Sequence, residues 1–178
     1  MILTLSVLPI SLTFYSQTWN EIINLTASDA EASDIFGLSV SISGNRAIVG
    51  SYNDENGAGS AYIYEFVAGT WIEKQKITAS DGASNDHFSI SVSIFNDKII
   101  VGASGNDENG LSAGAAYIFE LENDVWIEKQ KIVPSDIAAG DAFGFNVSIS
   151  NNKAIVGSHW DDDNGNKSGS AYVFTKRG

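Results

Sequence analysis

A single pattern occurs three times along this 178-residue chain, and it restricts the folds that the chain can adopt. Each copy opens with a Trp, has a Phe 17 residues later and a Gly 14 residues after that Phe. The members are Trp19, Phe36 and Gly50, then Trp71, Phe88 and Gly102, then Trp126, Phe143 and Gly157. A period of 52 to 55 residues indicates a repeat architecture, with units at about 19–70, 71–125 and 126–178.

Each unit is predicted to contain four β-strands and no helix. Phe36–Ser43 alternates apolar residues with serine, which is the period of a half-buried strand. The turn Gly44-Asn45 leads to Ala47–Ser51, an apolar run that suits a strand covered on both faces. The third strand is Ser60–Tyr64, and the fourth is Trp71–Ile77, whose lysines suit the edge of a sheet.

Four-stranded units that repeat with this period are typical of β-propeller blades. The fold prediction is therefore an all-β protein of three four-stranded antiparallel β-propeller blades, forming an incomplete or oligomer-closed propeller. Each blade has two apolar faces and cannot bury them alone, so the blades are expected to stack on one another.

Three motifs of the unit resemble the FG-GAP repeat, which builds the β-propeller of integrin α-subunits and of many bacterial surface proteins. In the first copy they are Phe36-Gly37, Val49-Gly50-Ser51 and Gly59-Ser60-Ala61-Tyr62, whereas the second copy has Phe88-Ser89 in place of Phe-Gly. The resemblance implies a secreted or cell-surface protein of the bacterial type that acts in adhesion. Integrin-type repeats carry a calcium loop between their first two strands, but Gly44-Asn45 is too short for it, so that site is not carried over.

The two ends of the repeat region are complementary in sequence. Trp19–Leu25 is predicted to be a fourth strand with no blade before it, whereas the last blade reaches only its third strand, Ser170–Phe174. Two interpretations follow. Two chains complete each other's blades and form a homodimer with a closed ring, or the chain is a segment of a longer propeller.

The formal net charge of −12 limits the partners of the chain. Nucleic acids and anionic membrane surfaces need cationic protein surfaces, so neither is an expected partner. The absence of cysteine excludes disulfides, thiolate metal sites and a cysteine nucleophile. Residues 1–17 contain no charged side chain and have the length of a signal peptide, which predicts export, and the alternative is a first strand that stays in the fold.

An acidic loop follows the second strand of every unit and is the candidate cation site. Clustered Asp, Glu and Asn supply the oxygen ligands that calcium prefers, so calcium is the predicted cofactor. The candidate metal ligands are Asp54, Glu55, Asp107, Glu108, Asp161, Asp163 and Asn164. The spacing is not that of an EF-hand, and the alternative is a tight turn at each Asn-Gly pair with solvated acids around it.

A second set of acids recurs as pairs five residues apart ahead of each Phe. The pairs are Asp29 and Asp34, Asp81 and Asp86, and Asp136 and Asp141. Asp in such a loop is expected to accept backbone N–H bonds and to fix the turn, with a cation role as the alternative.

His159 and Trp160 do not recur, lie beside the third acidic loop, and are the candidate ligand-binding residues. An aromatic side chain on a loop suits contact with a sugar or a protein, although packing against a neighbouring blade fits equally. No nucleophile, histidine and acid are spaced as a catalytic set, so a non-catalytic module that binds protein or glycan is expected. The alternatives are a cation-stabilised structural scaffold and a fragment of a propeller enzyme such as a polysaccharide lyase.

Overall fold

The computed structural model describes residues 18–177, whose strands form three antiparallel sheets, here termed blades. Blade 1 consists of β1 (Phe36–Ser43), β2 (Arg46–Ser51), β3 (Ser60–Val67) and β4 (Thr70–Ile77). Blade 2 consists of β5 (Phe88–Phe95), β6 (Lys98–Ala103), β7 (Ala115–Glu122) and β8 (Val125–Ile132). Blade 3 consists of β9 (Phe143–Ser150), β10 (Lys153–Ser158) and β11 (Ser170–Thr175), and α1 (Asp54–Gly57) is a short turn between β2 and β3 in which Glu55 and Asn56 have positive φ angles.

The predicted all-β fold of antiparallel blades is confirmed. The strands of each blade pair in chain order, with β4 and β8 at the outer edges as their charges predicted. Residues 18–27 join no sheet within one chain, so the strand predicted at Trp19–Leu25, which has no blade before it, stays a prediction. The edges of β3 and β7, to which such a strand would add, already pair with β4 and β8. The predicted signal peptide, residues 1–17, lies outside the described residues.

Each blade has an aromatic front face and an aliphatic back face. The front face of blade 2 packs against the back face of blade 1, and the front face of blade 3 packs against the back face of blade 2. The first interface contains Ile48, Ile63 and Ile77 of blade 1 with Phe88, Tyr117 and Trp126 of blade 2. The second contains Ile100, Ala116 and Ile132 of blade 2 with Phe143, Val147 and Tyr172 of blade 3. One kind of interface is therefore used twice.

Serine hydroxyls join the first strands of neighbouring blades, β1, β5 and β9, which are termed the inner strands. The Ser41 hydroxyl of β1 accepts a hydrogen bond from the N–H of Ile94 at 3.1 Å. In the next interface the Ser93 hydroxyl of β5 accepts one from the N–H of Ile149, also at 3.1 Å. Edge N–H groups of an inner strand are thereby satisfied by the preceding blade, which explains why serine alternates with apolar residues here.

Close approach of the blades explains why the second strand of each unit contains glycine. A methyl group added to Gly102 would overlap the carbonyl oxygen of Gly144 in the next blade, and one on Gly50 would overlap that of Ser89. Gly157 holds the same position in blade 3, where the nearest atom to an added methyl would be Asn146 Cβ at 3.6 Å. At Gly102 the constraint comes from the following blade, and at Gly50 it comes from the following blade and from the Ser39 hydroxyl of the same blade.

The residue after the repeated Phe has a positive φ in all three blades. The angle is 91° at Gly37 and at Gly144, and it is 73° at Ser89, where an L side chain is strained. The buried Ser89 hydroxyl accepts the N–H of Ser51 at 2.9 Å and donates to the carbonyl of Ser60 at 2.6 Å. These two hydrogen bonds offset the strain and tie blade 2 to blade 1.

The second Asp of each pair fixes a turn, as predicted. The carboxylate of Asp34 accepts the N–H of Glu31 at 2.6 Å. Asp86 accepts the N–H of Ala83 at 3.0 Å, and Asp141 accepts that of Ala138 at 2.7 Å. In the first two pairs the first Asp, Asp29 or Asp81, instead contacts a tyrosine hydroxyl and a lysine.

Candidate functional site

The acidic loop of each blade is attached to the Asp turn of the same blade. The N–H of Asn53 donates to the carbonyl of Asp34 at 3.3 Å, and the N–H of Trp160 donates to that of Asp141 at 3.3 Å. In blade 2 the N–H of Gly105 bonds the carbonyl of Asp86 at 3.0 Å. Each blade therefore gathers carboxylates from two segments that are distant in sequence.

In blade 1 the gathered acids bind a lysine. The carboxylate of Asp54, which is 7% exposed, lies 2.7 Å from Lys76 Nζ and 3.1 Å from the Tyr62 hydroxyl. The carboxylate of Asp29 lies 2.7 Å from each of the same two groups. These four side chains are termed the charge node of blade 1. The cross-strand pair of Tyr62 with Lys76 places the cation of the node.

Blade 2 has an equivalent charge node built on Lys131. Its ammonium group lies 2.6 Å from the Asp81 carboxylate and 3.1 Å from Asn106 Oδ1, and it also pairs with Glu108. The Tyr117 hydroxyl donates to Asp81 at 2.7 Å. Lysine is again the cation, and it is again the cross-strand neighbour of the tyrosine.

The charge node of blade 3 contains the tyrosine and the acids but no lysine. Asp161 is 2% exposed, and its carboxylate accepts the Tyr172 hydroxyl at 2.6 Å and the N–H of Asp163 at 3.1 Å. Burial, Asp161 and the negative charge of Asp136 together raise the pKa of the Tyr172 hydroxyl. Among residues 18–177, no lysine or arginine forms an ion pair with Asp161. The lysines of the other nodes come from fourth strands, and the described residues of blade 3 form three strands.

The pKa values follow this difference in charge. The hydrogen bond from Lys76 is the main cause that lowers the pKa of Asp29. In blade 3 the hydrogen bond from the Tyr172 hydroxyl is the main cause that lowers the pKa of Asp161. The negative charge of Asp161 is in turn the main cause that raises the pKa of Asp163. Blade 3 therefore holds negative charge that lysine balances in the other blades.

The predicted metal ligands lie in three separate loops. Asp54 and Glu108 already contact lysine, and the carboxylate of Asp107 accepts the N–H of Ser112 at 2.7 Å, which fixes its loop. Glu55, Asp163 and Asn164 are exposed. Within the described part of the chain, no three carboxylate or imidazole groups are already arranged to hold a metal ion.

The node lysines were not recognised from the sequence, which indicates only exposed edge charges for Lys74 and Lys76. The side chain of Lys76 is 27% exposed and that of Lys131 is 19% exposed, because both turn into the acidic loop. A signal was present, since Lys76 and Lys131 recur at the same position and a Tyr recurs in every third strand. The register between the two strands was needed to connect them.

His159 and Trp160 belong to an aromatic cluster at the edge of blade 3. The His159 ring lies 4.1 Å from the Phe145 ring and 4.8 Å from the Trp160 ring, measured between centroids. The Lys167 ammonium lies 4.4 Å from the centre of the Trp160 ring. Phe145 and Lys167 were not predicted as site residues, because Phe145 is distant in sequence and lies in a strand.

The aromatic cluster is open to solvent. Phe145 is 39% exposed and Trp160 is 44% exposed. The counterparts of Phe145 are Leu38 and Ile90, so the three-ring cluster is not repeated among the described residues, whereas Tyr52, the counterpart of His159, contacts only the His87 ring. Its position beside Asp161–Asp163 brings an apolar surface and carboxylates together at one edge of the molecule.

Antiparallel meanders that stack front to back and join through their inner strands define the class of β-propeller blades. A family model described as the FG-GAP repeat matches residues 19–64, 71–119 and 126–174. The chain therefore belongs to the FG-GAP repeat family. No curated protein matches the chain significantly. Among the described residues, none of the helical structure has the length and apolar character of a membrane span.

The repeat in the sequence and the blade in the structure are offset by one strand. The second family match begins at Trp71, which lies in β4 of blade 1, and the third begins at Trp126, which lies in β8 of blade 2. The second and third sequence repeats thus each contribute their first strand to the preceding blade.

Proposed function

We propose that the protein is an exported, non-catalytic binding module that acts in adhesion or recognition at the cell surface or in the medium. The aromatic cluster of blade 3 is its contact surface, and a glycan is the ligand class that it fits best. The observation that carries this proposal is that the exposed rings of Phe145 and Trp160 occur in one blade of an otherwise repeated scaffold.

Repetition separates scaffold from function in this chain. Residues that recur in all three blades serve turns, strands and blade interfaces, and the aromatic cluster does not recur. Loops on a rigid scaffold commonly carry binding residues. A sugar offers an apolar ring face to an aromatic side chain and hydroxyl groups to nearby polar side chains. The rings beside Lys167 and Asp161–Asp163 supply both kinds of contact.

A glycan array comparing the wild type with Trp160→Ala tests this proposal. Loss of a central aromatic contact commonly weakens binding by about tenfold or more, so the variant should lose its signals. Leu111→Ala is the matched control, because Leu111 is 74% exposed in the corresponding loop of blade 2. Signals that survive Trp160→Ala, or an array with none, would count against a glycan site at this cluster, and in the second case a protein ligand remains to be sought.

The non-catalytic part of the proposal needs its own assay. His159 packs against two aromatic rings, an arrangement that supports a contact role rather than proton transfer. Incubation with acidic polysaccharides should therefore yield no shortened or unsaturated products. Products that disappear with His159→Ala would favour the propeller-enzyme alternative.

A cation-stabilised scaffold is the second candidate function, and the charge node of blade 3 favours it. The corresponding acids of blades 1 and 2 hold an ammonium ion, whereas Asp161 has a tyrosine and no lysine. The negative charge of Asp161 raises the pKa of the exposed Asp163 carboxylate. Calcium binds to such pairs of carboxylates together with backbone and amide oxygens.

Thermal unfolding with and without calcium tests the second candidate. With a Kd of about 1 mM, about 10 mM calcium would add about 1.4 kcal/mol and raise Tm by about 3 to 6 °C. Asp163→Asn should abolish the shift. Asp124→Asn, which removes one carboxylate from a hairpin turn of blade 2, should preserve it. An unchanged Tm would remove calcium from consideration.

A further inference from the structure

Two parts of the molecule have no paired strand within residues 18–177. The first is the segment Trp19–Leu25, in which Trp19 is 104% exposed and Ile22 is 79% exposed. The second is the outer edge of β11, with which no described strand pairs. In blades 1 and 2 the corresponding edge pairs with β4 or β8.

The segment Trp19–Leu25 has the sequence of a fourth strand. Trp19, Glu21 and Leu25 correspond to Trp71, Glu73 and Ile77 of β4, and to Trp126, Glu128 and Ile132 of β8. Leu25 and Ala27 pack on the front face of blade 1, as Ile77 and Ala79 pack on that of blade 2. The end of the segment therefore lies against the front face of blade 1 in the same way as the end of β4 lies against the front face of blade 2.

One hydrogen-bond pair shows how closely the two places agree. The N–H and hydroxyl of Ser28 donate to the Glu73 carboxylate at 2.9 and 2.7 Å. The N–H and hydroxyl of Ser80 donate to the Glu128 carboxylate, both at 2.8 Å. Ser135 is the third serine of this kind, and the glutamate that corresponds to Glu73 and Glu128 in the remaining repeat is Glu21.

The edge of β11 is prepared for such a strand. In the first interface the Gln75 amide bonds the backbone of Trp126, at 2.9 Å to its carbonyl and 2.8 Å to its N–H. Gln130 holds the same position on β8 and lines a groove between blades 2 and 3 together with Ile132 and Phe174. A Trp placed in this groove would be covered like Trp126, which is 5% exposed.

The outer faces of blades 1 and 3 are complementary as well. On the front face of blade 1, Val40 is 67% exposed. Its counterpart in blade 2, Val92, is 6% exposed because blade 1 covers it. On the back face of blade 3, Ile155 is 46% exposed, whereas its counterpart Ile100 is fully buried. Such a front face and such a back face meet at both interfaces inside the molecule.

We propose that a second copy of this chain covers these surfaces by exchanging Trp19–Leu25. Each copy adds this segment to the β11 edge of the other as the missing fourth strand, and each blade 1 packs on the other copy's blade 3. The register of the other blades places Asn20 of the partner subunit opposite Thr175, and Glu21 of the partner subunit on Ser135. The product is a two-fold ring of six blades.

A second copy fits better than closure of one chain on itself. Blade 2 lies between blades 1 and 3 and contacts both, so the two surfaces lie at opposite ends of the stack. Closed propellers contain about four to eight blades, and a ring of six blades lies within that range. A two-fold ring also uses both exposed faces of both chains and leaves none to drive further assembly.

Light scattering and a disulfide pair test the exchange. The purified chain should have twice its own mass in solution. The chain lacks cysteine, so Asn20→Cys combined with Thr175→Cys should form, on oxidation, a covalent dimer with a disulfide between these positions, confirmed by mass spectrometry. Each single variant, which lacks the partner thiol, should not form that linkage. A monomeric mass, or a disulfide within one chain, would overturn the proposal.

Gly157→Ala provides an independent test that does not alter the exchanged strand. In the ring its methyl group would meet the Gly37 carbonyl of the partner subunit, as a methyl on Gly102 would meet that of Gly144. Within one chain there is room for it. The variant should be monomeric and should keep the far-UV circular dichroism of a β-sheet protein and a cooperative unfolding transition. A dimer that Gly157→Ala leaves intact would contradict the proposed packing.

Discussion

Blade 2 and blade 3 follow one sequence pattern but occupy different environments. Blade 2 is covered on both faces, so Ile100 is fully buried, whereas Ile155 at the same position of blade 3 is 46% exposed. Lys131 balances the carboxylates of the blade 2 charge node, and blade 3 has no lysine at that place. The pattern determines the backbone, and the neighbouring blade determines burial, charge and tolerance to substitution.

The sharpest expected contrast is between Gly102→Ala and Gly157→Ala. The first overlaps backbone in the next blade and should cost about 3 kcal/mol of unfolding free energy, the upper end for overpacking. The second should change it by less than about 0.5 kcal/mol in monomeric protein, because space is available. Urea denaturation at a concentration that keeps the protein monomeric measures both. Equal losses would show that the strand, and not the neighbouring blade, requires glycine.

A smaller contrast is expected from removing the node cation. Lys131→Met leaves Asp81 and Glu108 without their counter-ion and should destabilise the protein by about 1 kcal/mol, since both carboxylates are partly exposed to solvent. Lys129→Met is the matched control, because its more exposed pair with Glu122 contributes less than about 0.5 kcal/mol. Thermal or urea unfolding separates the two variants. Equal stabilities of Lys131→Met and Lys129→Met would mean that the charge node is a solvated ion pair that does not stabilise the fold.

The smallest contrast is in the pH dependence. The pKa of Asp29 and that of Asp81 are lowered from 3.8, so their stabilising contribution is present above that value and is lost as pH falls through the lowered pKa. The pKa of Asp163 is raised, so its contribution has the opposite sign and is lost as pH rises through the raised pKa. Unfolding free energies between pH 5 and 2 should therefore fall less steeply for Lys131→Met than for the wild type. An unchanged slope would exclude Asp81 as a source of acid sensitivity.

The fold was predictable because its signals are local and repeat. The alternation of Phe36–Ser43, the turn residues and the edge lysines each identify a strand, and three copies remove the ambiguity of one. The site was less predictable because it depends on register and on contacts between distant segments. The node of blade 1 joins Asp29 to Tyr62 and Lys76, and the aromatic cluster joins Phe145 to His159. Sequence spacing does not reveal such contacts.

The prediction of a strand at Trp19–Leu25 illustrates the same limit. Its residues match β4 and β8, but a strand exists only where a sheet edge receives it, and none is within reach of this segment in one copy of the chain. The local sequence pattern indicates that Trp19–Leu25 can pair as a strand, and the position of a free sheet edge determines whether it does.

The one-strand offset between sequence repeat and blade has a consequence for how such chains change over generations. A duplicated gene segment that encodes one repeat brings three strands of a new blade together with a strand that fastens to the blade before it. The inserted repeat therefore pairs with the preceding blade through its first strand, and its front and back faces can form the same blade interfaces as the other repeats. Unequal crossing-over can lengthen or shorten the array in frame without the need to evolve a new interface.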